Sequence, residues 1–254
     1  MENRYKLSVK NISKTFYMQK QEVSAVEDIS MDVRENEFLV LLGPGQCGKT
    51  VFLSILAGLM QPTSGEVFLD GKSHAGTDDR ISMVFQKIAL MPWKTVMQNV
   101  EMGPKFAGIK KEIRRKRAQH FIDLVGLKGF ENSYPRHLSG GMKQRVGIAR
   151  AYTNNPEILL MDEPFGQLDA QTRYAMQDEI LRVWEQDKRT VVFVTNNIEE
   201  AVYLGDRIIL FSERPARVKD IYSLEHLKRP RNNMDKEFLE MRELIANNTD
   251  LALA

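Results

Sequence analysis

Residues 38–50 read Phe38-Leu39-Val40-Leu41-Leu42-Gly43-Pro44-Gly45-Gln46-Cys47-Gly48-Lys49-Thr50. Five apolar residues run without a break, as in a strand covered on both faces. The eight that follow fit G-x-x-x-x-G-K-[ST], and a helix-like segment comes next. Glycines let backbone N–H groups approach phosphate oxygens with no Cβ in the way. The helix presents open N–H groups and the positive end of its dipole. Lys49 supplies a cation for β- and γ-phosphates, and the Thr50 hydroxyl can ligate Mg²⁺. The stretch predicts a strand, a loop and a helix built for a polyphosphate.

Other short apolar runs lie at 81–85, 158–161, 191–194 and 208–211. Helical periodicity marks 111–125, 141–152 and 169–185. Strands alternating with helices predict an α/β protein with a parallel sheet wrapped by helices. From about Ile88 to Tyr152 the chain shows helices and loops but no strand, which points to a helical insertion. The segment 213–254 mixes a basic stretch (Lys228, Arg229, Pro230, Arg231) with a helix expected at 235–246. It is too short for another domain.

Composition sets the outer bounds. The 254 residues suggest one large domain or two small ones. A net charge of +2 gives no global basic field for nucleic acid. The longest apolar stretch, 51–60, is broken by Ser54 and Gly58 and falls short of a membrane span. The polar start, MENRYKLSVK, has no secretory signal pattern, and one cysteine excludes an internal disulfide framework. A soluble, intracellular protein is expected.

Asp162 ends the run Ile158-Leu159-Leu160-Met161, placing it at the carboxyl end of a buried strand, where open parallel sheets bind ligands. A carboxylate there can share the Mg²⁺ with Thr50. Glu163 follows and can orient or deprotonate a water.

Between these motifs stands Leu138-Ser139-Gly140-Gly141-Met142-Lys143-Gln144-Arg145. At these residues the chain resembles the ATP-binding subunits of ABC transporters, whose signature reads LSGGQ; Met142 takes the Gln place. Gln86 resembles the Q-loop glutamine, Gly166-Gln167-Leu168-Asp169 the D-loop, and Phe16 the aromatic that stacks on adenine. The resemblance covers nearly the whole chain. Softer motifs (MPWKTVMQNV after Gln86, MDEPFGQLDAQTR and the Arg-Pro-Arg tail) resemble the importer ATPases for nitrate, sulfonates and taurine.

The resemblance implies one ABC ATPase domain over 1–254. It would have a P-loop NTPase (RecA-like) core with a parallel sheet, an N-terminal antiparallel β subdomain, an inserted helical subdomain at about 88–152 and a C-terminal extension at about 213–254. It implies ATP and Mg²⁺ as cofactors. Gly43, Pro44, Gly45, Gln46, Cys47, Gly48, Lys49, Thr50 and Val51 would surround the nucleotide. Thr50, Gln86 and Asp162 would hold Mg²⁺, and Glu163 the water. It further implies a head-to-tail pair of ATPase subunits, with Ser139, Gly140, Gly141 and Met142 of one facing the nucleotide of the other beside Asp169. The implied partners are transmembrane permease subunits and, indirectly, a solute-binding protein, with no nucleic acid. The implied location is peripheral, on the cytoplasmic face of the membrane.

Three departures bear on activity. Val194-Thr195 is followed by Asn196-Asn197, where the family pattern has His-Asp. Asn196 can donate a hydrogen bond but carries no charge; losing a charge-assisted contact is worth about 1.5–3 kcal/mol. ATP binding with slow hydrolysis, or hydrolysis that needs a complementary partner subunit, is expected, and a nucleotide-binding regulatory subunit becomes the second hypothesis. Gln46 stands where the family has Gly, and a positive φ there would cost about 1 kcal/mol. Val51 replaces a second hydroxyl residue. Cys47, at the helix mouth, is either inert or open to alkylation with ATP protecting it. The cluster Lys110, Lys111, Arg114, Arg115, Lys116 and Arg117 reads as a solvated helix face or a contact for anionic lipid or an acidic partner. Met91, Pro92 and Trp93 read as core or as a docking patch. No histidine pair has zinc spacing.

Overall fold

The computed structural model describes residues 5–18, 21–87, 89–166 and 168–248. In chain order the first elements are β1 (Tyr5–Met18), β2 (Gln21–Arg34), β3 (Phe38–Leu42), α1 (Lys49–Leu56), β4 (Ser64–Leu69), β5 (Lys72–Ser73) and β6 (Ile81–Val84). Helices α2 (Val96–Val100), α3 (Met102–Phe106), α4 (Lys111–Leu124) and α5 (Gly140–Thr153) follow. The remainder is β7 (Ile158–Asp162), α6 (Ala170–Gln186), β8 (Thr190–Thr195), α7 (Ile198–Leu204), β9 (Arg207–Phe211), β10 (Val218–Ser223) and α8 (Lys236–Asn248). The chain packs as two compact units, Met1–Asp78 with Thr190–Ala254, and Asp79–Arg189.

The first unit contains two sheets. One is antiparallel, in the order β2-β1-β4-β5. In β2, Ile29, Met31 and Val33 are buried and alternate with more exposed residues, the period-2 pattern of a half-covered sheet. The other runs β10-β9-β3-β8, with β9, β3 and β8 parallel and β10 antiparallel at its edge. Every residue of β3 and β8 is buried, as continuous apolar runs require. Phe52 of α1 meets Phe211 of β9 edge-on at 5.6 Å, fixing the helix to the sheet. The parallel core and the antiparallel subdomain expected of a P-loop NTPase are both present.

The basic stretch in the tail is not a solvated run. Arg231 is buried at 8% exposure. Its guanidinium donates to the carbonyls of Leu224, Leu227, Val202, Tyr203 and Gly205 at 2.6–3.2 Å. Arg229 pairs with Asp206 and donates to the Leu204 carbonyl. These arginines satisfy the last turn of α7, whose carbonyls have no partner within the helix. Burial lowers the pKa of Arg231 to about 10, so the side chain keeps its charge at neutral pH. Beyond this strap, α8 buries Phe238 and Ile245, one heptad apart.

The second unit pairs β6 with β7 in parallel and surrounds them with α2 to α6. Among the described residues from 89 to 152 there is no strand; the start expected at Ile88 lies outside the described residues. The core of this unit includes Val96, Val100, Ala118, Phe121, Ile122, Val146 and Tyr152, with Phe121 and Tyr152 in ring contact at 5.5 Å. An ion pair of Arg114 with Glu101 at 2.9 Å ties α4 to the end of α2. The strand expected at 81–85 ends at Val84, and Phe85 is exposed.

Candidate functional site

In the first unit the phosphate loop leaves the carboxyl end of β3. Its shape depends on a glycine at 48. Gly48 caps α1 at φ +127°, and a Cβ there would lie 2.3 Å from the Ala25 carbonyl oxygen. Glycine is therefore obligatory. Gln46 has φ +61°, so the strain foreseen for a positive φ at this position is present. Gly45 stands in open space with no atom near an added Cβ, leaving its backbone approachable. The Lys49 ammonium donates to the carbonyls of Gly43 and Pro44, both at 2.7 Å, and so is folded over the loop. Thr50 is exposed, and the first turn of α1 carries no acidic residue to repel an anion. These features fit a polyphosphate.

Of the two readings of Cys47, the structure favours the inert one. Its side chain is buried at 1% exposure and packs beneath the loop, 3.2 Å from where a Gly43 Cβ would stand. The thiol is a packing group and is not open to alkylation in the folded loop.

The parallel register places a second predicted residue at the same edge. Leu42 of β3 lies opposite Thr195 of β8, so Gly43 and Asn196 emerge side by side. Asn196 is exposed. Asn197 is the N-cap of α7: its Oδ1 accepts from the Glu200 N–H at 2.9 Å, and its own N–H donates to Thr195 Oγ1 at 3.0 Å. Asn caps as well as Asp, so the second half of the Asn-Asn departure preserves the helix start. Phe16 lies on β1 opposite Val23, half-buried, with Lys14 Nζ 5.4 Å from its ring.

In the second unit Val84 pairs with Met161. Gln86 and Glu163, each two residues further on, therefore leave the sheet at one level. Gln86 Nε2 donates to Glu163 Oε2 at 3.2 Å. Glu163 has φ +40°, and a turn in which the Gly166 N–H donates to its carbonyl at 3.1 Å holds that conformation. Asp162, at the end of β7, is buried.

The signature segment opens α5. Ser139 caps it, its Oγ accepting from the Met142 N–H at 3.2 Å. Ser139 and Gly140 are exposed, and no acid lies in the first turn. A Cβ on Gly141 would press within 2.9 Å of the Thr172 methyl group. The same threonine ties down Asp169, which caps α6 through bonds at 3.0 and 2.7 Å. Those bonds from Thr172 lower the Asp169 pKa. Gln167 of the D-loop lies outside the described residues.

Sequence reasoning left Met91, Pro92 and Trp93 open between core and docking patch. Trp93 is 68% exposed, and its loop is tied by hydrogen bonds to one buried side chain. The fully buried Asn99 accepts from the Met91 N–H at 2.8 Å and donates to the carbonyls of Met91, Lys94 and Thr95 at 3.0–3.3 Å. Nothing in the composition of residue 99 announced this role, because its partners are backbone groups.

Comparisons with known proteins agree with this architecture. The ABC transporter family profile matches residues 26–166. An uncharacterized ABC transporter ATP-binding protein of Methanocaldococcus jannaschii is 50% identical over 244 residues, 96% of this chain and 91% of that protein. A taurine import ATP-binding protein of Roseobacter denitrificans is 43% identical over 219 residues, covering 86% and 82% of the two chains. An aliphatic sulfonates import ATP-binding protein of Bacillus anthracis is 38% identical over 236 residues, covering 93% and 92%. Among solved structures, a dimeric post-hydrolysis ATP-binding cassette bound to ADP and Pi superposes with a TM-score of 0.75 at 35% identity, covering 86% of this chain and 98% of that one. With the family profile over more than half of its length and relatives 38–50% identical over most of it, the chain belongs to the ABC transporter family of ATP-binding cassettes.

Proposed function

We propose that this chain binds and hydrolyses ATP to power uptake of a small solute of the nitrate, sulfonate or taurine class. Lys49 and the loop amides hold the phosphates, Phe16 stacks on the adenine, and Thr50, Gln86 and Asp162 hold Mg²⁺. Such a site takes its oxygens from a hydroxyl, an amide, one carboxylate and the nucleotide, so it needs no cluster of acids. Glu163 orients and deprotonates the water. Two copies pair head to tail, with Ser139, Gly140, Gly141 and Met142 of each closing on the other's nucleotide. Asp169 contributes beside them. The helical segment at about 88–152 docks on a transmembrane permease through the Trp93 loop and holds the subunit at the cytoplasmic face. A solute-binding protein acts through that permease, and the extension at 213–254 belongs to the same ATPase domain.

The observation that carries this reading is the phosphate loop itself, with its obligatory Gly48 and its folded Lys49 at the sheet edge shared with Asn196. The test is steady-state ATP hydrolysis by the purified chain, with Glu163→Gln as the blank and ATP binding measured in parallel. Turnover that Glu163→Gln abolishes is the expected result.

Asn196 favours one alternative, a nucleotide-binding regulatory subunit with little hydrolysis. Binding without turnover, unchanged when the permease is added, would select it.

A further inference from the structure

The corner between α3 and α4 carries a charge pattern that its own fold works against. Lys110 is the N-cap of α4 with no side-chain cap bond, and Lys111, Arg114, Arg115, Lys116 and Arg117 fill the first two turns. The N-terminal end of a helix favours acids, and its first turn offers only Glu112. Glu101 engages Arg114 at 2.9 Å and lies 3.9 Å from Arg115. Seven basic residues and one acidic residue lie within 105–117, in a chain whose overall charge is only +2. Lys105, Lys110, Lys111, Arg115 and Lys116 are exposed. Among them stand two exposed apolar side chains, Phe106 at 81% and Ile113 at 52%.

Cations crowded where the helix dipole repels them call for an external anion. An exposed phenylalanine next to Lys105 in sequence, at the end of α3, adds an apolar anchor. We propose that this corner docks directly on the anionic surface of a lipid bilayer, with Phe106 entering the headgroup layer and the lysines meeting lipid phosphates. A fluid headgroup layer suits a side chain that stands four-fifths in solvent better than a fitted protein groove does. The contact adds to whatever a permease provides. It rests on the reading that the chain works at a membrane, but its test needs neither permease nor ATP turnover, so the two can fail separately.

The experiment is flotation of the purified full chain with vesicles of phosphatidylcholine alone or mixed with phosphatidylglycerol, across a salt series. Binding is expected only with phosphatidylglycerol and should weaken as salt rises. Each basic residue at such a surface is worth about five-fold, so Lys110→Gln/Lys111→Gln/Lys116→Gln should lose about 100-fold. Phe106→Ser should lose about 10-fold. ATP affinity and melting temperature of both variants should match the parent, which excludes misfolding as the cause. No binding to phosphatidylglycerol vesicles, equal binding to phosphatidylcholine, or an unaffected triple variant would overturn the proposal. If vesicles are ignored while the triple variant loses a detergent-solubilised permease, the partner is an acidic protein segment and the lipid contact is wrong.

Discussion

Gln86 donates from its side-chain amide to the carboxylate of Glu163, with 3.2 Å between Nε2 and Oε2. The residues are 77 positions apart in the chain, and the pairing of β6 with β7 brings them level. The amide thereby orients the carboxylate proposed to handle the water. Gln86→Leu keeps the bulk and removes the donor. A hydrogen bond to a charged group is worth about 1.5–3 kcal/mol. Turnover should fall at least about 10-fold, while ATP affinity in the absence of Mg²⁺ stays within about three-fold. Steady-state kinetics beside equilibrium binding separates the two, and an unchanged kcat would show that the contact is idle.

Asn196 emerges beside the phosphate loop with a neutral amide where the family pattern carries an imidazole. Asn196→His should raise turnover by roughly 10- to 150-fold if a charged contact to phosphate is what the site lacks. An imidazolium supplies that charge as pH falls through about 6.5, so the gain should grow toward acidic pH. A flat pH profile and unchanged turnover would mean that this position does not limit the reaction.

The loop holds one residue in a conformation that its side chain disfavours. Gln46 at φ +61° should be relieved by Gln46→Gly, with a gain of about 1 kcal/mol and a melting temperature about 2–4 °C higher. Gly48→Ala tests the opposite case, because its Cβ would meet the Ala25 carbonyl at 2.3 Å. It should lose nucleotide binding and at least about 2 kcal/mol of stability. Thermal melts with and without ATP check both.

Arg231 satisfies five carbonyls at the end of α7 and in the following strap. Arg231→Met leaves buried acceptors without donors and should cost about 3 kcal/mol, or roughly 6–12 °C in Tm. Arg231→Lys should recover only part of this, because a point-like ammonium cannot reach a fan of acceptors as a planar guanidinium does.

Asn99 should hold the Trp93 loop rigid. Asn99→Ala removes one accepted bond and the two N–H donors shared among three carbonyls, so cleavage by a protease at 89–95 should speed up while the phosphate loop stays intact. Unaltered cleavage would show that the loop is held by other means.

The phosphate loop, the buried strands β3, β7 and β8, and the carboxylate at the end of β7 were legible in the sequence because each is a local pattern. A continuous apolar run, a glycine at a fixed offset and a charge at a strand end need no distant partner to be recognised. Helices α4, α5 and α6 were legible for the same reason, through their 3.6-residue period. The long strands β1 and β2 were not read from their residues. Their polar, half-exposed alternation has little local contrast, and only mutual pairing makes them a sheet.

Tertiary structure alone decided the fate of the side chains whose partners lie far away. Arg231 is only one member of a basic stretch in sequence and becomes a buried clamp because α7 offers it carbonyls. Cys47 reads in sequence as either inert or reactive at a helix mouth, and its burial decides for the inert packing group. Gln86 meets Glu163, and Asn99 pins the Trp93 loop, through contacts that no periodicity encodes. The sequence set the backbone patterns and the chemistry available at each position; long-range packing then determined which polar groups found one another, because a buried donor or acceptor is stable only where the assembled chain supplies its partner.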